Sequence, residues 1–172
     1  MPMRRDRESK LPMRTNRPSV IEMSRRKLLA IASGGGHWVQ LLRLRPAFDG
    51  CEVVYASVHP GSAEEVPGHR YYHFRDASRK KRLAFLPVAF RMLWIVLRER
   101  PDVIVTTGSA PAMICLTLGR LCGARTLWID SIANVKELST SGRKAMNVAH
   151  QCIAQWPEVA AENGLEFWGC TL

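Results

Sequence analysis

Apolar and polar positions follow different rules on the two sides of residue 25. Residues 1–24 show neither a helical nor a two-residue period, place Pro2, Pro12 and Pro18 among arginines, and read as a flexible basic extension. From Arg25 the pattern becomes regular, and residues 25–172 read as one folded domain. Lys27 to Ser33 (KLLAIAS) is an apolar run stopped by Gly34, Gly35 and Gly36, after which Val39, Leu41, Leu42 and Leu44 have helical spacing until Pro46. Strand, glycine turn and helix in that order open a βαβ unit.

The unit recurs in outline. Cys51 to Ser57 predicts a second strand, a polar loop with His59, Pro60, Gly61, Pro67 and Gly68 follows, and Tyr71 to Phe74 predicts a short third strand. Arg82 to Arg100 predicts a long helix, Asp102 to Thr107 a strand, Ala110 to Leu121 a helix and Arg125 to Ile129 a strand. A helix near Gly142 to Ala149, a strand at Gln151 to Ala154 and a last strand around Phe167 complete the series. Strands that alternate with helices pair in parallel, so the predicted fold class is α/β: an open, mostly parallel Rossmann-like sheet with helices on both faces.

At 172 residues and 19.4 kDa the chain holds one core and has no room for a second full α/β domain. With 47% hydrophobic and 23% charged residues, neither wholesale disorder nor a multi-span membrane protein fits. The net charge of +10 is not spread evenly. Residues 1–27 carry nine bases against three acids and residues 70–100 nine against two, while the remainder is slightly acidic. Two local blocks point to an anionic partner and away from a uniformly basic nucleic-acid surface, so no nucleic acid is expected. The five cysteines are odd in number, widely spaced and free of any CxxC pair, which predicts no disulfide framework and no metal site, and a reducing compartment. The basic N-terminal segment is not followed by an apolar core, so it does not read as a signal peptide.

Candidate chemistry sits at strand ends. Ser33, Gly34, Gly35, Gly36 and His37 follow the first strand, where main-chain N–H groups and a helix N-terminus face an anion. The spacing matches neither GxGxxG nor the P-loop. His37, in the first helical turn, is a candidate base or phosphate contact, although the turn also suits a plain strand-to-helix connection. Thr107, Gly108 and Ser109 stand at the end of another strand and would face the same crevice; Ser109 with Pro111 equally suits a helix cap. Asp130, Ser131 and Asn134 follow RTLWI, where a carboxylate can bind hydroxyls or close a turn. Between Arg79, Lys80, Lys81, Arg82 on one side and Arg98 and Arg100 on the other lies an apolar stretch containing Phe85, Phe90, Arg91 and Trp94. It is shorter than the ~20 residues of a spanning helix. It suits either a buried core helix or an interfacial helix on anionic lipid.

Taken together, SGGGHWVQLLRL (33–44), PDVIVTTGSAPA (101–112) and WIDSIANVKELSTSGR (128–143) followed by QWPE (155–158) resemble one family. It is the membrane-anchoring subunit of the two-part N-acetylglucosaminyltransferase of dolichol-linked oligosaccharide synthesis, with its bacterial relatives in exopolysaccharide and lipopolysaccharide assembly. The resemblance covers about residues 25–172. It implies the N-terminal, acceptor-side half of a GT-B glycosyltransferase that acts in a complex on a polyprenyl-diphosphate-linked acceptor. No cofactor is then expected on this chain, since a separate catalytic partner subunit would carry the UDP-sugar donor. It also implies a peripheral position on the cytoplasmic face of a membrane. On this reading Ser33 to His37 with Thr107, Gly108 and Ser109 contact the acceptor or its diphosphate, with His37 a candidate base toward the acceptor hydroxyl, and Asp130, Ser131 and Asn134 line the cleft toward the partner. The basic apolar stretch faces the bilayer. The chain departs from the family in having Asp130-Ser131 where many members have Glu-Ser, and a basic tail in place of an apolar N-terminal helix. A self-sufficient glycosyltransferase acting as a homo-oligomer is one alternative, and a basic nucleic-acid-binding module, the less favoured, is the other.

Overall fold

The computed structural model describes residues 25–75 and 85–171; the basic extension 1–24 and the bases Arg79, Lys80, Lys81 and Arg82 lie outside them. Seven strands alternate with helices in chain order: β1 (Lys27–Ile31), α1 (Gly36–Arg43), β2 (Glu52–Ser57), β3 (Arg70–His73), α2 (Phe85–Glu99), β4 (Val103–Thr106), α3 (Ala110–Leu121), β5 (Arg125–Ile129), α4 (Thr140–Ala145), β6 (Gln151–Ala154), α5 (Pro157–Glu162) and β7 (Glu166–Phe167). The strands form one sheet in the order β3-β2-β1-β4-β5-β6-β7, and every adjacent pair is parallel.

The side-chain alternation of each strand feeds two cores. Leu29, Ile31, Val54, Ala56, Ile104 and Trp128 point to the side covered by α2, α3 and α4. Their neighbours Leu28, Ala30, Val53, Tyr55, Val105 and Ile129 point to the side of Trp38 and Leu41 on α1. Continuous apolar strands such as KLLAI are therefore buried on both faces, as a parallel sheet requires. Chain growth reverses direction between β1 and β4, and right-handed crossovers then place α1 and α3 on opposite faces of the sheet. A crevice opens at the carboxyl ends of β1 and β4, the switch point where such sheets take ligands.

The last third departs from the sequence expectation. The helix expected at Gly142 to Ala149 runs over Thr140–Ala145, because the Ser139 hydroxyl accepts from the Gly142 N–H and fixes the start. Helix α5 was not foreseen; Pro157 in its first turn and Glu158 at its N-terminal end are its local signals. Among the described residues no helix is long and apolar enough to cross a membrane.

Candidate functional site

Three loops at the carboxyl edge of the sheet enclose a cleft of about 240 Å³. From the β1 exit comes His37; from the β4 exit come Thr107, Gly108 and Ser109; from the β5 exit come Asp130, Ser131 and Asn134. Ser139, Thr140 and Ser141, at the start of α4, close the remaining side. The structure thus brings together seven of the residues singled out in the sequence. Ser33, Gly34, Gly35 and Gly36 stand beside this cleft and do not line it. Gly34 packs against His59, whose ring leaves no room for a side chain: a β-carbon would come within 2.2 Å of it.

The β1 and β4 loops are fastened to each other. Thr107 Oγ1 donates to the His37 carbonyl at 2.6 Å, and Thr106 Oγ1 accepts from the Gly108 N–H at 3.1 Å. Gly108 has φ +125°, and Ser109, which is not glycine, has φ +130°. Side chains rarely adopt that conformation, and such strain concentrates at functional sites. Ser109 Oγ caps α3 by accepting from the Ala112 N–H at 3.2 Å, so the cap expected from sequence is present. No side chain caps α1, where Gly35 holds the N-cap position with φ +65°. The first-turn amides of α1 therefore have no side-chain acceptor, and the positive end of that helix faces the turn. His37 Nδ1 is buried against Gly108 without a hydrogen-bond partner, which leaves Nε2 as the nitrogen for a ligand.

Of the two roles that the strand-end position of Asp130 left open, binding hydroxyls and closing a turn, its contacts match the second. Asp130 is 2% exposed, and both carboxylate oxygens are already taken. Oδ1 accepts from Ser139 Oγ at 2.6 Å and from Trp128 Nε1 at 3.3 Å, and Oδ2 from Asn134 Nδ2 at 2.9 Å and the Ser139 N–H at 3.0 Å. A carboxylate with four donors is a brace: it folds the 130–139 loop back on β5 and sets the three hydroxyl residues at the rim. Gly142 has to be glycine for the same reason, since a β-carbon there would lie 2.6 Å from Asp130 Oδ1. Ser139, Thr140 and Ser141 were not picked out in the sequence, although Ser139 precedes a helical segment in the manner of an N-cap.

The expected membrane face divides. On α2, Val88, Met92, Ile95 and Val96 are buried, while Leu86 (56% exposed), Phe90 (71%), Trp94 (43%) and Leu97 (55%) form an outward stripe at helical spacing. Phe85, expected to face outward, packs instead against the core, and Leu86 and Leu97 complete the stripe. Arg91 and Arg98 flank Trp94, with guanidinium carbons 4.7 and 5.2 Å from its ring centroid. At the end of α2, Glu99 is buried among Lys27 Nζ, Arg70 Nη1 and the Tyr72 hydroxyl. Burial pushes its pKa up, but those three hydrogen bonds outweigh burial and hold it below the usual carboxylate value. The thiols of Cys115 and Cys152 are pushed up by burial to about 12 and about 11, so neither supplies a nucleophile.

Residues 69–171, more than half of the chain, match the family described as "Oligosaccharide biosynthesis protein Alg14 like". The UDP-N-acetylglucosamine transferase subunit ALG14 of Eremothecium gossypii is 23% identical over 78% of this chain and 75% of that protein. The rat (Rattus norvegicus) protein of the same name is 27% identical over 76% of this chain and 75% of its own length. In fold the chain is similar to the crystal structure of Acinetobacter baumannii MurG, with a TM-score of 0.63 at 16% identity over 78% of this chain. It spans only 43% of that MurG chain, less than half.

Proposed function

The chain belongs to the Alg14-like family of oligosaccharide biosynthesis proteins, and from that premise we propose that it is the acceptor-side subunit of a split, UDP-sugar-dependent glycosyltransferase. The observation that carries this reading is the kinship: the relatives, matched over three quarters of their own length, are named subunits of a UDP-N-acetylglucosamine transferase. A separate catalytic subunit then supplies the donor-binding half and carries the UDP-N-acetylglucosamine; this chain binds no cofactor of its own.

The acceptor is a polyprenyl-diphosphate-linked sugar of polysaccharide or lipopolysaccharide assembly. Its diphosphate lies over the uncapped amides of Gly36 and His37 and beside Ser109, while its sugar enters the cleft between His37 and the 131–141 loop. His37 Nε2 takes the proton of the acceptor hydroxyl as its oxygen attacks the anomeric carbon of the donor sugar. UDP leaves from the opposite face with the bonding electron pair, so the configuration inverts. The outward stripe of α2 with Arg91 and Arg98 rests peripherally on an anionic, cytoplasm-facing leaflet, which keeps the cleft near the lipid tail.

The test is transfer from UDP-N-acetylglucosamine to a short-chain polyprenyl-diphosphate N-acetylglucosamine, by the full chain alone and by its complex with a donor-binding half. Turnover by the complex only is expected. Turnover by the chain alone would replace the two-subunit reading with a self-sufficient homo-oligomer, and no turnover by either would overturn the reaction.

A further inference from the structure

Behind the cleft lies a second set of polar groups, centred on two buried glutamines. Gln40, on α1, and Gln155, at the exit of β6, are 6% and 2% exposed, and their side chains bond to each other: Gln155 Nε2 donates to Gln40 Oε1 at 2.8 Å. Each also grips the loop that follows β5. Gln40 Nε2 donates to Ser131 Oγ at 3.1 Å, and Gln40 Oε1 accepts the Ile132 N–H at 3.0 Å. Gln155 Nε2 makes a second bond, to the Asp130 carbonyl, at 2.9 Å. The remaining acceptor, Gln155 Oε1, takes both the Thr171 N–H at 2.7 Å and its hydroxyl at 2.8 Å.

A buried polar pair stabilises a core less than an apolar pair of the same shape unless its directionality is used. Here every bond but those to Thr171 ends on residues 130–132 or on the other glutamine, and Asp130 and Ser131 line the cleft. His37, in the first turn of α1, and Asp130, Ser131 and Asn134, of the loop after β5, line the same cleft. We infer that Gln40 and Gln155 are positioning residues that lock the distance and orientation between the His37 helix and the Ser131–Asn134 loop, and that Gln155 ties this unit to the C-terminal segment through Thr171. The inference rests on the proposed acceptor cleft for its catalytic consequence, but not for its structural one. Displacements of an ångström or less between reacting groups lower rates far more than they lower stability.

Two variants test it. Gln155→Glu keeps an oxygen for Thr171 and removes the amide that donates to Gln40 and Asp130. The double variant Gln40→Leu, Gln155→Leu replaces the pair by apolar side chains and restores packing should the single variant fold poorly. In the full chain, amide hydrogen exchange at Ile132 is expected to quicken about tenfold or more in both, with thermal unfolding of each variant measured beside it. In the complex, KM for the polyprenyl-diphosphate acceptor is expected to rise about tenfold, while KM for UDP-N-acetylglucosamine stays within about twofold. Wild-type protection at Ile132 would overturn the inference, as would an acceptor KM that returns to normal when the double variant regains stability. If the wild-type complex transfers no sugar, the proposed function fails and the exchange measurement alone decides the relay.

Discussion

The ring of His37 rests on the α-carbon of Gly108: a β-carbon at residue 108 would stand 2.9 Å from Cε1 and 3.1 Å from Nδ1. With φ at +125°, Gly108 also occupies a conformation that alanine reaches only under strain. Gly108→Ala is expected to lose about 1–3 kcal/mol of stability in urea unfolding and to tilt His37 out of line. His37→Gln should leave the melting temperature close to wild type and lower kcat of the complex by about 100-fold or more.

Asp130 joins β5 to the start of α4 through Ser139, which it holds by both the hydroxyl and the N–H. Asp130→Asn presents an amide where donors already point. It is expected to cost about 2–4 kcal/mol in denaturant unfolding, the range for leaving buried charge-assisted partners unpaired. Gly142→Ala should act in the same direction by forcing the carboxylate away, and thermal unfolding of the two variants checks this.

Glu99 makes stability depend on acid. Its folded pKa is held below the ordinary 4.5, so its contribution is fully present above that value and is lost as pH falls through the lower folded pKa. Urea unfolding measured from pH 7 downward should show a decline beginning near 4.5. In Glu99→Gln the decline should be shallower, with stability at pH 7 already lower because Lys27 and Arg70 lose their shared carboxylate. Equal acid slopes in the two proteins would dismiss this account.

The stripe on α2 can be removed without touching the core. Leu86→Ser with Phe90→Ser changes two side chains that are more than half exposed, so stability should stay within about 0.5 kcal/mol. Flotation with vesicles containing anionic lipid should fall, and flotation with neutral vesicles should be weak for both proteins. Unchanged flotation on anionic vesicles would remove the membrane role from this helix.

Much of the architecture could be read along the chain. KLLAI, VIVT, RTLWI and QCIA are each bounded by turn residues and lie among helical patterns, and each became a strand of the parallel sheet. Helix α3 runs over the residues its spacing predicts, because Ser109 and Pro111 mark its start and Gly123 lies just beyond its end. The third strand begins one residue earlier than its aromatic pattern suggests, at Arg70, which pairs with Val54 and is held by Glu99. Helices α4 and α5 are each six residues long, too short for a period to declare itself.

For the site, the sequence by itself determined which residues stand at strand ends: His37, Thr107, Gly108, Ser109, Asp130, Ser131 and Asn134 all reach the cleft through local order of strand, turn and helix. Local order says nothing about which polar groups are already paired. Only the tertiary structure decided that Asp130 is consumed as a brace, that Phe85 turns inward, and that Gln40 and Gln155, 115 residues apart, meet behind the loop. Hydrogen bonds over such separations depend on how sheet order brings α1 and β6 together, and that pairing is written in no single segment of the chain.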